Sequence, residues 1–143
     1  MNQETSEPTP PPPPSGSSSG ETTSTGLDPQ LAGLLCYILG LITGLIFFLI
    51  EKTNRTVRFH AAQSIVFSIA WIVVWVVLGI VGLVLGQISY TLGNLFGIVS
   101  LLVWLGLFIV WIVLLVKGYS GEKWKLPVLG DIAERMAASD ATA

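Results

Sequence analysis

Three long apolar runs, none holding a charged side chain, most constrain what this chain can fold into. They cover residues 31–50, 64–86 and 92–116. At about 1.5 Å per helical residue, 20 residues cross a hydrocarbon layer of roughly 30 Å. The second run is rich in β-branched residues, but a backbone in lipid must satisfy its own hydrogen bonds and is therefore helical. The sequence predicts an all-α polytopic membrane protein, with three transmembrane helices in a small bundle.

The composition agrees with a membrane domain spanning residues 28–137. Charged residues make up 11% of the 143 residues, against roughly 25% in soluble domains. The net charge of −2 gives no overall basic field, so nucleic acid is not expected as a partner. Cys36 is the single cysteine and His60 the single histidine. Without metal-ligand spacing, neither a metal nor another cofactor is expected.

The two ends of the chain differ from the membrane domain. Residues 1–27 hold six of the eight prolines, many Ser and Thr residues, and no Lys or Arg. Such a segment lacks the apolar residues needed to offset chain entropy, so we expect a disordered tail. Residues 138–143 are expected to fray. A Pro-rich ligand for a partner domain is the alternative interpretation of the tail.

Small residues recur at helical spacing in each predicted span. Close packing between membrane helices depends on such residues, because they allow two backbones to approach. The packing partner is either another helix of the same chain or a second copy. The helix-packing candidates are Gly40, Gly44, Gly79, Gly82, Gly86, Gly93 and Gly97.

The polar stretch at residues 51–64 separates the first two apolar runs. Thr53 or Asn54 suits the N-cap of a helix running from about residue 55 to about residue 86. That helix is longer than the hydrocarbon layer, so its first turns belong in the headgroup zone. In the same way, Asp28 suits the N-cap of the first helix, with Pro29 at its first helical position.

The start of this helix contains the candidate interfacial motif. Arg58 and Phe59 are expected to meet lipid phosphate, with Phe59 dipping inward. His60, Gln63 and Ser64 are expected to face into the bundle, where a buried polar group needs a partner. A lone histidine favours a structural role, with its ring bonded to Gln63, a backbone carbonyl or the C-terminal segment. Its interfacial position leaves a pH-sensing role open.

Two segments resemble a known family. V-R-F-H-A-A-Q-S at residues 57–64, after G-L-I-F-F-L-I-E-K-T-N, and G-E-K-W-K-L-P-V-L-G-D-I-A-E-R at 121–135 look like a pattern of small uncharacterised prokaryotic membrane proteins. That family, a domain of unknown function, is distantly related to a chloroplast inner-envelope protein-import component. The resemblance covers about residues 27–137. It implies a membrane fold and, through the import component, a role in moving or assembling polypeptides.

The positions of the basic residues predict a topology. All seven lie either in the 51–63 loop or after residue 116, and three spans place both segments on one side. The positive-inside rule then puts the C-terminus in the cytoplasm and the N-terminus outside the cell membrane. Residues 128–137 have the pattern of a short interfacial amphipathic helix.

No span contains Asp, Glu, Lys, Arg or His, the usual mark of an ion path. No nucleophile and base stand in a recognisable catalytic motif, so the protein is not expected to be an enzyme. The leading hypothesis is a non-enzymatic scaffold or assembly factor. The alternative is an oligomeric transport or protein-translocation component. The expected partners are the lipid bilayer and anionic lipid headgroups, together with other membrane proteins or a second copy of the chain.

Overall fold

The computed structural model describes residues 23–139, and within them five α-helices. The helices are α1 (Pro29–Ile38), α2 (Leu41–Ile50), α3 (Arg55–Ile88), α4 (Tyr90–Ser120) and α5 (Leu129–Ser139). The all-α prediction is confirmed. The sequence predicts the tail at residues 1–27 and the frayed end at 138–143, of which residues 1–22 and 140–143 lie outside the described residues. In the described part, Ser24 bonds to Glu51 and residues 138–139 belong to α5.

Side-chain caps start the helices where the sequence places them. Asp28 Oδ1 accepts a hydrogen bond of 2.8 Å from the Gln30 N–H, and Pro29 occupies the first turn of α1. Asn54 Oδ1 accepts from the N–H groups of Thr56 and Val57 at the start of α3. These bonds satisfy amides that have no partner inside the helix.

The expectation of one unbroken span over residues 31–50 is wrong. The run is divided at Leu39–Gly40 into α1 and α2, each of 10 residues. Gly40 has φ +55°, a conformation that stops a right-handed helix. Each helix is about 15 Å long, half of the hydrocarbon layer. Among residues 23–139, two helices, α3 and α4, are long and apolar enough to cross a membrane.

The two short helices form an antiparallel hairpin. The Ser24 N–H, just before α1, donates to the Glu51 carboxylate just after α2, at 2.8 Å. Both open ends of the hairpin therefore lie beside the start of α3. Residues 28 and 51 thus lie at the same end of the bundle, whereas one span over residues 31–50 would place them at opposite ends.

The buried core lies at one end of α3 and α4, which we call the packed end. The buried residues of α3 fall within 57–67, and those of α4 are Leu114 and Gly118. The hairpin covers one side of this end, and α5 covers another through Ala133, which packs on Phe59. From Ser68 onward no described residue of α3 is buried. Towards their connection, α3 and α4 stand as a bare pair, the bare end.

Candidate functional site

The hairpin tip is held by side chains from α3 and α4. Ser64 Oγ lies 2.5 Å from the Cys36 carbonyl oxygen and 3.0 Å from that of Gly40. Trp111 Nε1 donates to the Tyr37 carbonyl at 3.0 Å. Non-helical backbone at membrane depth is tolerated only where the protein satisfies its polar groups. Ser64 and Trp111 add donors from α3 and α4 to turn carbonyls that also accept from the hairpin's own Gly40 and Gly44 N–H groups and Thr43 hydroxyl.

His60 contacts the hairpin through a different partner from those expected. Its Nδ1 lies 3.3 Å from the hydroxyl oxygen of Tyr37, and both side chains are buried. The His60 ring also packs edge-to-face against Phe59, with centroids 5.6 Å apart. His60 therefore lies between the hairpin and the side of α3 that α5 covers.

Gln63 places a polar amide group inside this core. Its side chain is fully buried, and neither amide atom has a hydrogen-bond partner among the described residues. The same holds for Nε2 of His60. The expected His60–Gln63 bond is absent from the described contacts. An unsatisfied buried polar atom costs about 1–3 kcal/mol, so the Gln63 amide destabilises this core unless a bound group satisfies it.

Arg58 and Phe59 both make contacts within the bundle, and Phe59 does not lie where expected. Phe59 is buried against Ala133 of α5, so it does not dip into lipid. The Arg58 guanidinium stands over the Phe48 ring, 5.1 Å from its centroid. This geometry is a cation–π contact between α3 and α2. The covering by α5 explains the difference, because it turns an interfacial face into a helix–helix contact.

Glu51 fastens the base of the hairpin. Its carboxylate accepts from the N–H groups of Thr53 and Asn54 and the hydroxyl of Thr53, all at 2.8–3.0 Å, as well as from Ser24. Burial alone would raise the pKa of Glu51, but these hydrogen bonds outweigh it and bring the pKa below its usual range. The ionised carboxylate is thus a structural anchor of three segments of chain.

A basic pocket opens beside this anchor. It encloses about 1090 Å³ between the end of α2, the start of α3, the segment after α4, and α5. Apolar atoms of Phe48, Leu49 and Phe59 form part of its wall. Its charged lining consists of Lys52, Arg55, Arg58, Lys123, Lys125 and Glu134.

The electrostatics of the basic pocket favour an anion. Five of the chain's seven basic residues line it, against one carboxylate. That carboxylate, Glu134, pairs with Lys125 and is the main cause of the raised pKa of Lys125. Among residues 23–139, no three His, Cys, Asp or Glu are placed to hold a metal ion.

The predicted glycines divide into close contacts and open positions. A Cβ on Gly44 would lie 3.0 Å from Ser64 Oγ, so its absence allows α2 to approach α3. A Cβ on Gly93 would lie 2.9 Å from the Gly86 Cα, where α3 and α4 cross near their connection. Gly82 faces Phe96, whereas Gly79 and Gly97 have no such neighbour within 4 Å. Gly40 forms the hairpin tip.

Sequence reasoning missed several residues of the site. Ser24, Tyr37 and Trp111 each bond to a residue at least 23 positions away. Gly33 and Gly118 also meet closely, because a Cβ on Gly118 would lie 2.7 Å from the Gly33 carbonyl oxygen. Neither glycine is among the helix-packing candidates, because the sequence does not show that these two positions become neighbours.

Comparison with known proteins places this fold in a family. Residues 22–133 match the MamF/MmsF family, described as the magnetosome magnetite crystal formation protein family. The match includes the hairpin, both long helices and the basic segment before α5. The chain belongs to this family.

Archaeal membrane proteins are similar over most of the chain. A UPF0132 membrane protein of Methanocaldococcus jannaschii is 45% identical over 114 residues, covering 79% of this chain and 92% of that protein. A second from the same organism is 38% identical over 110 residues, with 77% and 71% covered. One from Archaeoglobus fulgidus is 43% identical over 107 residues, with 74% and 92% covered. No solved structure matches.

These comparisons support one part of the resemblance that the sequence motifs indicate, namely the membership of a family of small prokaryotic membrane proteins. The relatives are named as membrane proteins, and an uncharacterised UPF label fits the family that the motifs indicate. Neither the family description nor the names of these relatives mentions protein import. The expected link to the chloroplast component is therefore not supported.

Proposed function

We propose that this protein is a non-enzymatic membrane scaffold whose packed end gathers other components at the cytoplasmic face. The observation that carries the proposal is the contrast between the two ends of the α3–α4 pair. At one end, three of the five described helices (α2, α3 and α5) and the segment after α4 build a charged, ordered surface around the basic pocket. At the other end, α3 and α4 are bare and hold no charged residue.

The orientation follows from the basic residues once the hairpin is recognised. All seven lie at the packed end, in the 51–58 segment or from Lys117 onward. Under the positive-inside rule, the packed end faces the cytoplasm. Residues 23–28 then lie on the same side, which replaces the external N-terminus expected from three spans. In this topology α3 and α4 cross the bilayer, and α1–α2 enters it and returns.

The comparisons are consistent with a scaffold. The family description names a process of crystal formation, and it names no catalysed reaction. A protein that organises an assembly on a membrane needs an exposed, rigid surface next to the bilayer. The α5 helix offers one, since Asp131, Glu134 and Arg135 are exposed while Ala133 is buried beneath them.

Crosslinking from native membranes tests the scaffold proposal. A C-terminal affinity tag is used to recover crosslinked species from wild type and from a variant with Asp131→Ala and Arg135→Ala. A Gln87→Ala variant, altered at the bare end, is the matched control. We expect a stoichiometric foreign membrane component with wild type and the control, and at least a fivefold lower yield with the α5 variant.

Two results would overturn this proposal. The first is recovery of self-crosslinked multimers alone from wild-type membranes. Together with ion or solute flux in liposomes, that result would favour the oligomeric transport component. The second is a foreign component retained equally by all three proteins, since it would not depend on the packed end.

A further inference from the structure

We infer that the basic pocket is a binding site for the phosphate headgroup of an anionic phospholipid. This inference rests on the proposed placement of the packed end at the membrane surface, but not on the scaffold's partner. It assigns the pocket a ligand from the bilayer itself.

The charge of the pocket comes from segments far apart in sequence. Lys52 and Arg55 lie at the α2–α3 junction, and Lys123 lies after α4, about 70 residues later in the chain. Folding brings these exposed cations together around one space. Like charges placed together repel unless an anion lies between them. A phosphate group is the anion that Lys and Arg side chains bind most readily at a bilayer surface.

The shape of the pocket fits an amphiphile better than a free ion. Its volume of about 1090 Å³ exceeds what one phosphate group needs. Besides its cations, it has an apolar side formed by Phe48 and Leu49 at the end of α2. Leu49 is exposed and continues the apolar surface of the hairpin. A headgroup among the cations would leave its glycerol and acyl chains along this side.

The location also agrees with the headgroup zone. Trp124 stands between the pocket residues Lys123 and Lys125 and is partly exposed. Tryptophan is enriched at the membrane–water interface. The pocket lining changes from apolar to charged at the end of α2, between Leu49 and Lys52. Both observations place it at the depth of lipid phosphate.

The chain supplies its own matched control for charge removal. Lys117 and Arg135 are the two basic residues that do not line the pocket. A variant with Lys52→Gln and Arg55→Gln loses two positive charges from the pocket. A variant with Lys117→Gln and Arg135→Gln loses two from the same end of the molecule. The pocket changes are at exposed positions, so both variants are expected to fold.

A lipid-binding measurement tests the inference. The purified full-length protein is titrated in neutral detergent with a short-chain phosphatidylglycerol, and phosphatidylcholine, which has no net charge, is the reference lipid. Removing one basic residue near an anionic lipid weakens binding about fivefold. We therefore expect the Lys52/Arg55 variant to bind phosphatidylglycerol about 30-fold more weakly than wild type. The Lys117/Arg135 variant should change binding less than threefold, and circular dichroism should show equal helicity in all three.

Each other outcome overturns the inference. Equal losses in the two variants would mean attraction to diffuse surface charge and no pocket. Equal binding of phosphatidylglycerol and phosphatidylcholine would exclude recognition of an anion. Glycerol phosphate or inorganic phosphate binding as tightly as the lipid would identify a free phosphate as the ligand. A scaffold partner could still be recovered in all three cases, so this inference and the proposed function fail separately.

Discussion

The main-chain N–H of Ser24 donates a hydrogen bond of 2.8 Å to Oε2 of Glu51. This bond joins residues 27 positions apart, and it closes the hairpin at its base. The Oε1 atom of the same carboxylate accepts from Thr53 and Asn54, immediately before α3. One buried side chain therefore ties the start of α1, the end of α2 and the start of α3 together.

Replacing Glu51 by Gln should destabilise the packed end. The amide keeps one acceptor oxygen but turns an NH₂ group toward backbone donors, and charge-assisted bonds are lost. We expect a loss of about 2 kcal/mol in the free energy of unfolding, measured by chemical denaturation in detergent micelles. Glu122→Gln, which removes an exposed ion-pair partner of Lys117, should cost less than about 0.5 kcal/mol. Equal effects would contradict the anchoring role.

The lowered pKa of Glu51 predicts a dependence of stability on pH. The ordinary pKa is 4.5, and the folded-state pKa lies below it. A carboxyl group of this kind adds stability above its unfolded pKa, and that stability is lost as pH falls through the folded pKa. Wild type should therefore lose more stability than Glu51→Gln between about pH 5 and pH 3. Parallel thermal-unfolding curves over this range would show that Glu51 is not the group responsible.

Ser64 should matter for stability because it serves the hairpin tip. Ser64→Ala removes the shortest donor to the Cys36 carbonyl, which keeps only the 3.2 Å bond from the Thr43 hydroxyl, and leaves the Gly40 carbonyl with the Gly44 N–H alone. We expect a cost of about 2 kcal/mol by chemical denaturation. Ser100→Ala is the control, since the Ser100 hydroxyl bonds only to the Phe96 carbonyl of its own helix. That change should stay within about 0.5 kcal/mol. A tolerated Ser64→Ala would mean that the tip finds donors elsewhere.

Gly40 should resist substitution because of its backbone conformation. Its φ of +55° and ψ of −110° are not accessible to L residues without strain. A Cβ would also lie 2.8 Å from Ser68 Oγ. Gly40→Ala should cost about 2 kcal/mol in thermal unfolding. Gly106→Ala, at an open position within α4, should be neutral or gain up to about 1 kcal/mol. Similar melting temperatures for both variants would argue for a continuous α1–α2 helix.

Sequence reasoning reaches the helices and their caps but not the hairpin. Asp28 and Asn54 are recognisable as N-cap residues from their own chemistry and position. In the structure, both side chains cap the helices that the sequence predicts. The break at Gly40 is not local, because a glycine in an apolar run looks the same whether it packs against a helix or ends one. The break is held by hydrogen bonds from Ser64 and Trp111, 24 and 71 residues further on in the chain, which the local sequence does not reveal. The proposed topology changes with it, since one crossing fewer would place residues 23–28 on the other side of the membrane.

For the site residues too, the sequence predicts local position but not the distant partners. The motif at residues 58–64 does lie at a helix start among polar contacts, as its composition indicates. Its partners were not predictable, since Phe59 is covered by α5 and His60 meets Tyr37 of α1. The basic pocket could not be predicted from the sequence, because Lys52 and Lys123 become neighbours only when α4 returns to the start of α3.

Cysteine labelling distinguishes two crossings from three. In a Cys36→Ala background, single cysteines are placed by Thr25→Cys, Gln87→Cys and Tyr119→Cys, at positions that are all exposed. With a hairpin, positions 25 and 119 react with a membrane-impermeant maleimide from the same side of sealed vesicles, and position 87 reacts from the other. Three crossings would instead group position 25 with position 87. Labelling after detergent lysis checks that every position is reactive.

Gln63 offers a test of whether its buried amide has a ligand. If no group satisfies the amide, Gln63→Met removes two unsatisfied polar atoms and fills nearly the same volume. The melting temperature should then rise, by an amount equivalent to about 1 kcal/mol. Gln87→Met, at an exposed position of α3, should leave it unchanged. A fall of similar size in Gln63→Met would contradict this expectation, because it would require a bound water or another polar partner at the amide. That result would identify the buried Gln63 amide as part of a binding site at the centre of the packed end.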